Sequence, residues 1–115
     1  MAVNKKSVFD KKEICTADFA KAISHPARIS ILKMLAQRDS CICGKIVEVM
    51  PLAQSTVSQH LKELKKAGLV KGKIDGQKSC YCIDRKKISE MVDLFNDLYN
   101  EFLWSETEKG NNKEK

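Results

Sequence analysis

Between Gln54 and Ala67 the apolar residues Val57, Leu61 and Leu64 recur at steps of three and four while their neighbours are polar. That spacing predicts a helix with one buried stripe. Ser55 or Gln54 suits its start, and Gly68 follows where a left-handed C-terminal cap would sit. Upstream, Ile14, Ala17, Phe19, Ala20 and Ile23 make a rougher stripe from Glu13 to Ile23, interrupted by His25 and Pro26. Pro26 fits the first position of a second helix, where its missing amide hydrogen would be unbonded anyway, and Ile31, Leu32, Leu35 and Ala36 follow on one face to an end near Asp39. Residues 44 to 50 carry Ile46, Val47 and Met50 over one or two turns before Pro51 stops them. After Gly68 the period changes. Leu69 to Ile74 and Lys78 to Ile83 read as short strands, and Asp75-Gly76 between them signals a tight hairpin. Asp84 can then cap a long helix bearing Ile88, Met91, Val92, Phe95, Leu98, Tyr99, Phe102 and Leu103.

The order is four helices, a hairpin and a last helix: a mainly α fold with a small β-hairpin. Two short helices joined by a tight turn and followed by a hairpin make a winged helix-turn-helix. The folded part is expected over residues 13–104. Residues 1–12 lack periodicity, and 105–115 mix Gly, Asn and alternating charges, so both ends read as flexible tails.

At 115 residues the chain has room for one domain but not for a cofactor domain beside a catalytic one. No apolar stretch follows the lysines of the first 13 residues, and apolar runs elsewhere are soon broken by charge or proline. The expectation is therefore a cytoplasmic protein without a signal peptide or a membrane span. Five cysteines, an odd number, argue against a disulfide framework and for reduced thiols.

The formal charge of +6 favours a polyanionic partner, and its position sharpens that expectation. From Gln54 to Ser79 six lysines face Glu63 and Asp75, a balance of 6 − 2 = +4; from Asp84 to Trp104 three bases face five acids, 3 − 5 = −2. The positive field centres on the reading head. Gln54, Ser55, Thr56, Ser58, Gln59, His60 and Lys62 would lie on the exposed face of the 54–67 helix, with side chains able to meet base edges and phosphates in a major groove. Lys65 would contact phosphates, while Lys73, Gln77 and Lys78 at the hairpin would reach the flanking backbone or minor groove. A solvated surface helix would show the same polar face, so the adjoining hairpin and the local charge carry the DNA reading.

The segments HPARISILKML and SCICGKIVEVMPLAQSTVSQHLKELKKAGLVKGKIDGQKSCYCID resemble the bacterial ArsR/SmtB family of metal-sensing winged-helix repressors, over about residues 13–104. The resemblance implies a homodimer built on the terminal helices, binding to a palindromic double-stranded operator, and release when an inducer binds. The residues support the dimer independently. Phe95, Leu98, Tyr99 and Phe102 form an apolar band too broad for a small core to cover, and Phe19 on the first helix would join them. Two twofold-related reading helices would then meet successive major grooves about 34 Å apart.

Cys41 and Cys43 form a Cys-x-Cys pair whose thiolates can converge on one soft ion, at the position where the resemblance implies metal ligands. Ile46 stands where arsenite sensors of the family carry a further cysteine. A third ligand is either absent or comes from Cys15, reaching from the other subunit, or from Cys80 and Cys82, which share one face of the second hairpin strand opposite Tyr81 and Ile83. In winged helices the segment before the third helix commonly lies beside this strand, so Cys41 and Cys43 are expected to neighbour that pair within one subunit. The last helix has acids but no histidine, which disfavours a zinc, nickel or cobalt site there. Thiolates favour arsenite or antimonite as inducer, ahead of lead, cadmium or copper(I). The alternative is a thiol-based redox or reactive-sulfur sensor on the same fold. An enzyme is not expected: neither His25 nor His60 is placed to activate a thiol, and no glycine loop could cradle a phosphate.

Overall fold

A computed structural model of the chain describes residues 8–38, 41–43, 52–75 and 78–113. Helix α1 (Lys11–Ala22) starts two residues earlier than the apolar stripe because Asp10 and Glu13 form a capping box. The Glu13 amide donates to Asp10 Oδ1 at 2.7 Å and the Asp10 amide to Glu13 Oε1 at 3.2 Å. Helix α2 (Pro26–Ala36) has Pro26 in its first turn and stops at Ala36, short of Asp39. The third helix expected over 44–50 lies outside the described residues.

Helix α3 (Gln54–Lys66) ends as its sequence implies. Gly68 takes φ +86°, its amide donates to the Lys65 carbonyl at 2.9 Å, and the Leu69 amide reaches back to the Leu64 carbonyl at 3.1 Å. These two bonds define a Schellman cap, and buried Leu64 and Leu69 supply the apolar contact that accompanies it. The cap turns the chain directly into the hairpin, so the helix stop and the wing start are one local event.

Strands β2 (Val70–Asp75) and β3 (Lys78–Ile83) pair antiparallel from Val70↔Ile83 to Asp75↔Lys78, which leaves two residues, 76 and 77, to join them. Val70, Ile83 and Tyr81 share the core face, and the Tyr81 ring covers Gly72 so closely that a Cβ there would meet its Cδ1 at 2.5 Å. A third strand, β1 (Ile42–Cys43), pairs antiparallel with the other edge of β3 through Ile42↔Tyr81 and Cys43↔Cys80, giving the sheet order β1-β3-β2. Two residues are too few to show an alternation in the sequence; only the exposed edge of β3 makes them a strand.

Helix α4 (Arg85–Lys113) follows, with Asp84 Oδ1 accepting from the Lys87 amide at 3.1 Å. It continues past Trp104 into the segment expected to be a flexible tail. The stretch from Ser105 to Lys109 contains Glu and Lys but no Gly or Pro, so its sequence has nothing to end a helix there. The core joins Ile31 and Leu35 of α2, Val57, Leu61 and Leu64 of α3, Leu69 and Val70 at the start of the wing, and Met91 of α4. Among the described residues, no helix is long and apolar enough to cross a membrane.

Candidate nucleic-acid interface and thiol site

Helix α3 buries Val57, Leu61 and Leu64 and leaves Ser55, Thr56, Ser58, Gln59, Lys62 and Lys65 exposed. Its inward stripe thus orients an outward face of short hydroxyls, an amide and ammonium groups. The cap residue is Ala53, which has no side-chain acceptor, so neither Ser55 nor Gln54 caps the helix. Gln59 Nε2 lies 3.4 Å from Glu63 Oε2, a long bond that leaves the amide available to another partner. Lys71 on β2 is exposed as well. Gln77 lies outside the described residues, and Gln54, Lys73 and Lys78 are placed by their backbone alone.

His60 departs from the sequence expectation. It is 7% exposed rather than on the outward face, with its ring centroid 4.4 Å from that of His25. Arg28 Nε donates to His60 Nδ1 at 3.1 Å while Arg28 Nη1 donates to the Ala22 carbonyl at 3.2 Å. One guanidinium therefore ties the end of α1, α2 and the middle of α3 together. The helical wheel does place His60 on the buried stripe, three residues after Val57 and four before Leu64, but it cannot show the partner, which lies 32 residues away. Guanidinium only donates, so this bond needs a neutral imidazole with a lone pair on Nδ1. Burial first, then electrostatic interaction with His25 and Arg28, holds the His60 pKa below its ordinary 6.5. A depressed histidine pKa means that the unfolded chain binds the extra proton first. Stability is full above about pH 6.5 and is lost as pH falls from there through the lower folded-state value. Urea midpoints between pH 7.5 and 5 should fall for the wild type and fall less for His60→Asn, which keeps an acceptor oxygen near the Nδ1 position.

The cysteines are not all reduced. Cys41 and Cys82 are joined by a disulfide, with their Cα atoms 4.2 Å apart and a sequence separation of 41. Cys80 is disulfide-bonded too, and Cys43 stands opposite it across the β1–β3 ladder. The odd count pointed to free thiols, but pairing on adjacent strands brings two Cys-x-Cys segments onto one face of the sheet. Cys15 is a free, half-buried thiol on α1. It lines a cleft of about 620 Å³ with Phe19, Lys21, Arg28 and Glu63, and this cleft shares no residue with the one beside Cys41 and Cys82. Among the described residues no group of three or more His, Cys, Asp and Glu side chains is arranged to hold a metal ion.

On α4, Leu98, Tyr99 and Phe102 are exposed, joined by Val92 and Leu103, and at the other end of the chain by Val8 and Phe9. Phe19 and Phe95 instead pack partly against the core. Lys12 Nζ binds Asp97 Oδ2 at 2.9 Å, an exposed pair that fixes α1 beside α4. The bridge raises the Lys12 pKa.

A buried-stripe helix followed directly by a basic wing is the anatomy of a DNA-binding transcriptional regulator. Residues 25–71 match the bacterial regulatory protein, arsR family, and the chain belongs to that family. It is 40% identical over 83 residues to the uncharacterized HTH-type transcriptional regulator MJ1325 of Methanocaldococcus jannaschii, covering 71% of this chain and 92% of that protein. Reduced HlyU from Vibrio cholerae superposes with a TM-score of 0.60 at 30% identity, covering 78% of this chain and 94% of that one. An ArsR-like transcriptional regulator from Rhodococcus sp. RHA1 shares the fold, with a TM-score of 0.70 at 19% identity over 89% of this chain and 95% of that one. Members of the family are DNA-binding regulators and not enzymes, and the chain is one of them.

Proposed function

We propose that the chain is a homodimeric cytoplasmic repressor that reads a palindromic operator through α3 and is released when its clustered thiols change state. The observation that carries the reading is the lysine-rich hairpin that follows α3 directly, beside a helix divided into a fully buried apolar stripe and an exposed face of Ser55, Thr56, Ser58, Gln59 and Lys62. Such a face meets base edges when the N-terminal part of the helix enters a major groove. Lys65, Lys73, Gln77 and Lys78 extend the contact to phosphates, and the buried His60 contributes by holding α3 in place. Leu98, Tyr99 and Phe102 are the centre of the dimer contact, with Phe19 and Phe95 behind them.

In the reduced state, Cys41 and Cys43 would hold a thiophilic ion, with Cys80, Cys82 or Cys15 completing the site. Trivalent arsenic or antimony comes first, then lead, cadmium or copper(I). The Cys41–Cys82 bond favours a second reading, in which oxidation or reactive sulfur is the signal. In both, the signal acts where β1 meets the wing, and a coupling of about 1 to 3 kcal/mol to DNA affinity is expected.

The test is titration of a labelled duplex, selected by the wild-type protein from a random library. Ser58→Ala or Gln59→Ala should reduce discrimination by about 1 to 3 kcal/mol per lost base contact. Lys65→Gln should weaken all sequences alike and lower the salt slope by about one. A salt slope near zero for the wild type would remove DNA as the partner. Arsenite added to the reduced complex and peroxide added to a metal-free one separate the two signals.

A further inference from the structure

The Cys41–Cys82 disulfide opens onto a cleft of about 360 Å³ whose lining includes Arg38, Lys71, Asp84, Arg85 and Lys86. Four cations against one acid give 4 − 1 = +3 in a small space, and the acid is already engaged. Asp84 caps α4 by accepting from the Lys87 amide. Arg85 is held in place by donating from Nη2 to the carbonyls of Ala36 at 3.0 Å and Arg38 at 3.2 Å. Lys71 stands opposite Cys82 in the β2–β3 register, so its side chain leaves the same face of the sheet as the sulfur.

The charge also runs against the helix on which it sits. Helix α4 begins Arg85-Lys86-Lys87 with no acid in its first turn, which places three cations at the positive end of a long macrodipole. Lys87 is relieved by Glu90 at 3.1 Å, whereas Lys86 and Lys71 have no ion pair among the described residues. A small anion in this cleft would answer both the unpaired cations and the dipole, and it would lie against a disulfide.

We propose that the cleft docks a low-molecular-weight thiol bearing a carboxylate and delivers it to the Cys41–Cys82 disulfide. This rests on the thiol-switch reading and names its ligand class. Cys41 is exposed and Cys82 half-buried, so the incoming thiolate attacks the Cys41 sulfur. A bond forms between the small thiol's sulfur and Cys41 Sγ, the Sγ–Sγ bond breaks, and Cys82 leaves with the electron pair as a thiolate beside Lys71. A second thiolate then attacks the small thiol's sulfur, frees Cys41 as a thiolate and departs as the small symmetric disulfide. Two thiols are oxidised, one protein disulfide is reduced, and no further oxidant is needed.

Three small thiols of different charge test this on the oxidised wild-type protein: 3-mercaptopropionate, 2-mercaptoethanol and cysteamine. Each rate of Cys41–Cys82 opening, assigned by alkylation and peptide mass, is divided by the same thiol's rate toward a neutral small disulfide. The anionic thiol should lead the cationic one by on the order of tenfold, as field focusing in a charged cleft allows. Lys71→Gln with Lys86→Gln should bring that ratio close to one, while Lys11→Gln with Lys33→Gln, equal in charge change but outside the cleft, should preserve it. Equal normalised rates in the wild type, or the same loss in both double variants, would overturn the proposal. Duplex affinity measured before and after opening reports separately on the switch. Charge selectivity without a change in affinity keeps the cleft and removes the switch; a change in affinity without selectivity does the reverse.

Discussion

Replacing Tyr99 and Phe102 together by Asp should convert the dimer to a monomer at micromolar concentration while leaving each protomer folded. Their side chains are 59% and 66% exposed, so the folded chain loses little packing when they change. In a twofold interface each new carboxylate would be brought against its symmetry mate's surface and would lose its water without gaining a partner. DNA binding should weaken by about a hundredfold or more, because two linked reading heads gain that much from acting on one duplex. Phe95→Asp is a poorer probe, since Phe95 packs against the core and its loss would unfold the chain as well as part the dimer. Sedimentation and a thermal melt on the same sample distinguish these outcomes. A folded double variant that still sediments as a dimer places the interface elsewhere.

The second large effect concerns the Cys41–Cys82 bond. It spans 41 positions that include all of α3 and β2, and closing a loop of that length removes unfolded-state entropy worth about 4 kcal/mol in the chain-entropy treatment. Because Cys80 is disulfide-bonded as well, oxidised wild type should unfold at markedly higher urea than oxidised Cys80→Ser with Cys82→Ser, and reduction should bring the two close together. Cys41→Ser with Cys43→Ser should bind the duplex as the reduced wild type does yet respond to neither arsenite nor oxidant. If that variant still releases DNA with arsenite, the Cys-x-Cys assignment is wrong. Equal urea midpoints under oxidation would mean that the bridge does not constrain the unfolded chain.

Much of this protein is legible in its sequence because the features concerned are local. The stripe of Val57, Leu61 and Leu64, the stop at Gly68 and the change from period 3.6 to period 2 each involve neighbours within a few residues, and the wing and last helix follow from the same patterns. The excess of lysine between Gln54 and Ser79 is equally readable, as is the shared face of Cys80 and Cys82. Helix ends at Lys11 and Ala36 shifted by a few residues because capping bonds, not apolar spacing, set them.

The remaining features depend on partners far away in the chain. The spacing of His60 from Val57 and Leu64 places it on the buried stripe, but only the packing of α2 against α3 brings up Arg28, the donor that lets a histidine be buried there. Ile42 and Cys43 become a strand because β3 has a free edge beside them, and the same pairing brings Cys41 to Cys82. The expected place of the Cys41–Cys43 segment beside the second hairpin strand already put it near Cys80 and Cys82, but only the register decides that Cys41 meets Cys82 and Cys43 faces Cys80. The basic cleft over that disulfide has the same origin: Arg38, Lys71 and Lys86 belong to three separate segments, and the sheet and the start of α4 bring their charges around one pair of sulfurs. Local spacing thus determined α3 and the hairpin that follows it, while long-range packing decided what holds that helix in place and what chemistry lies behind it.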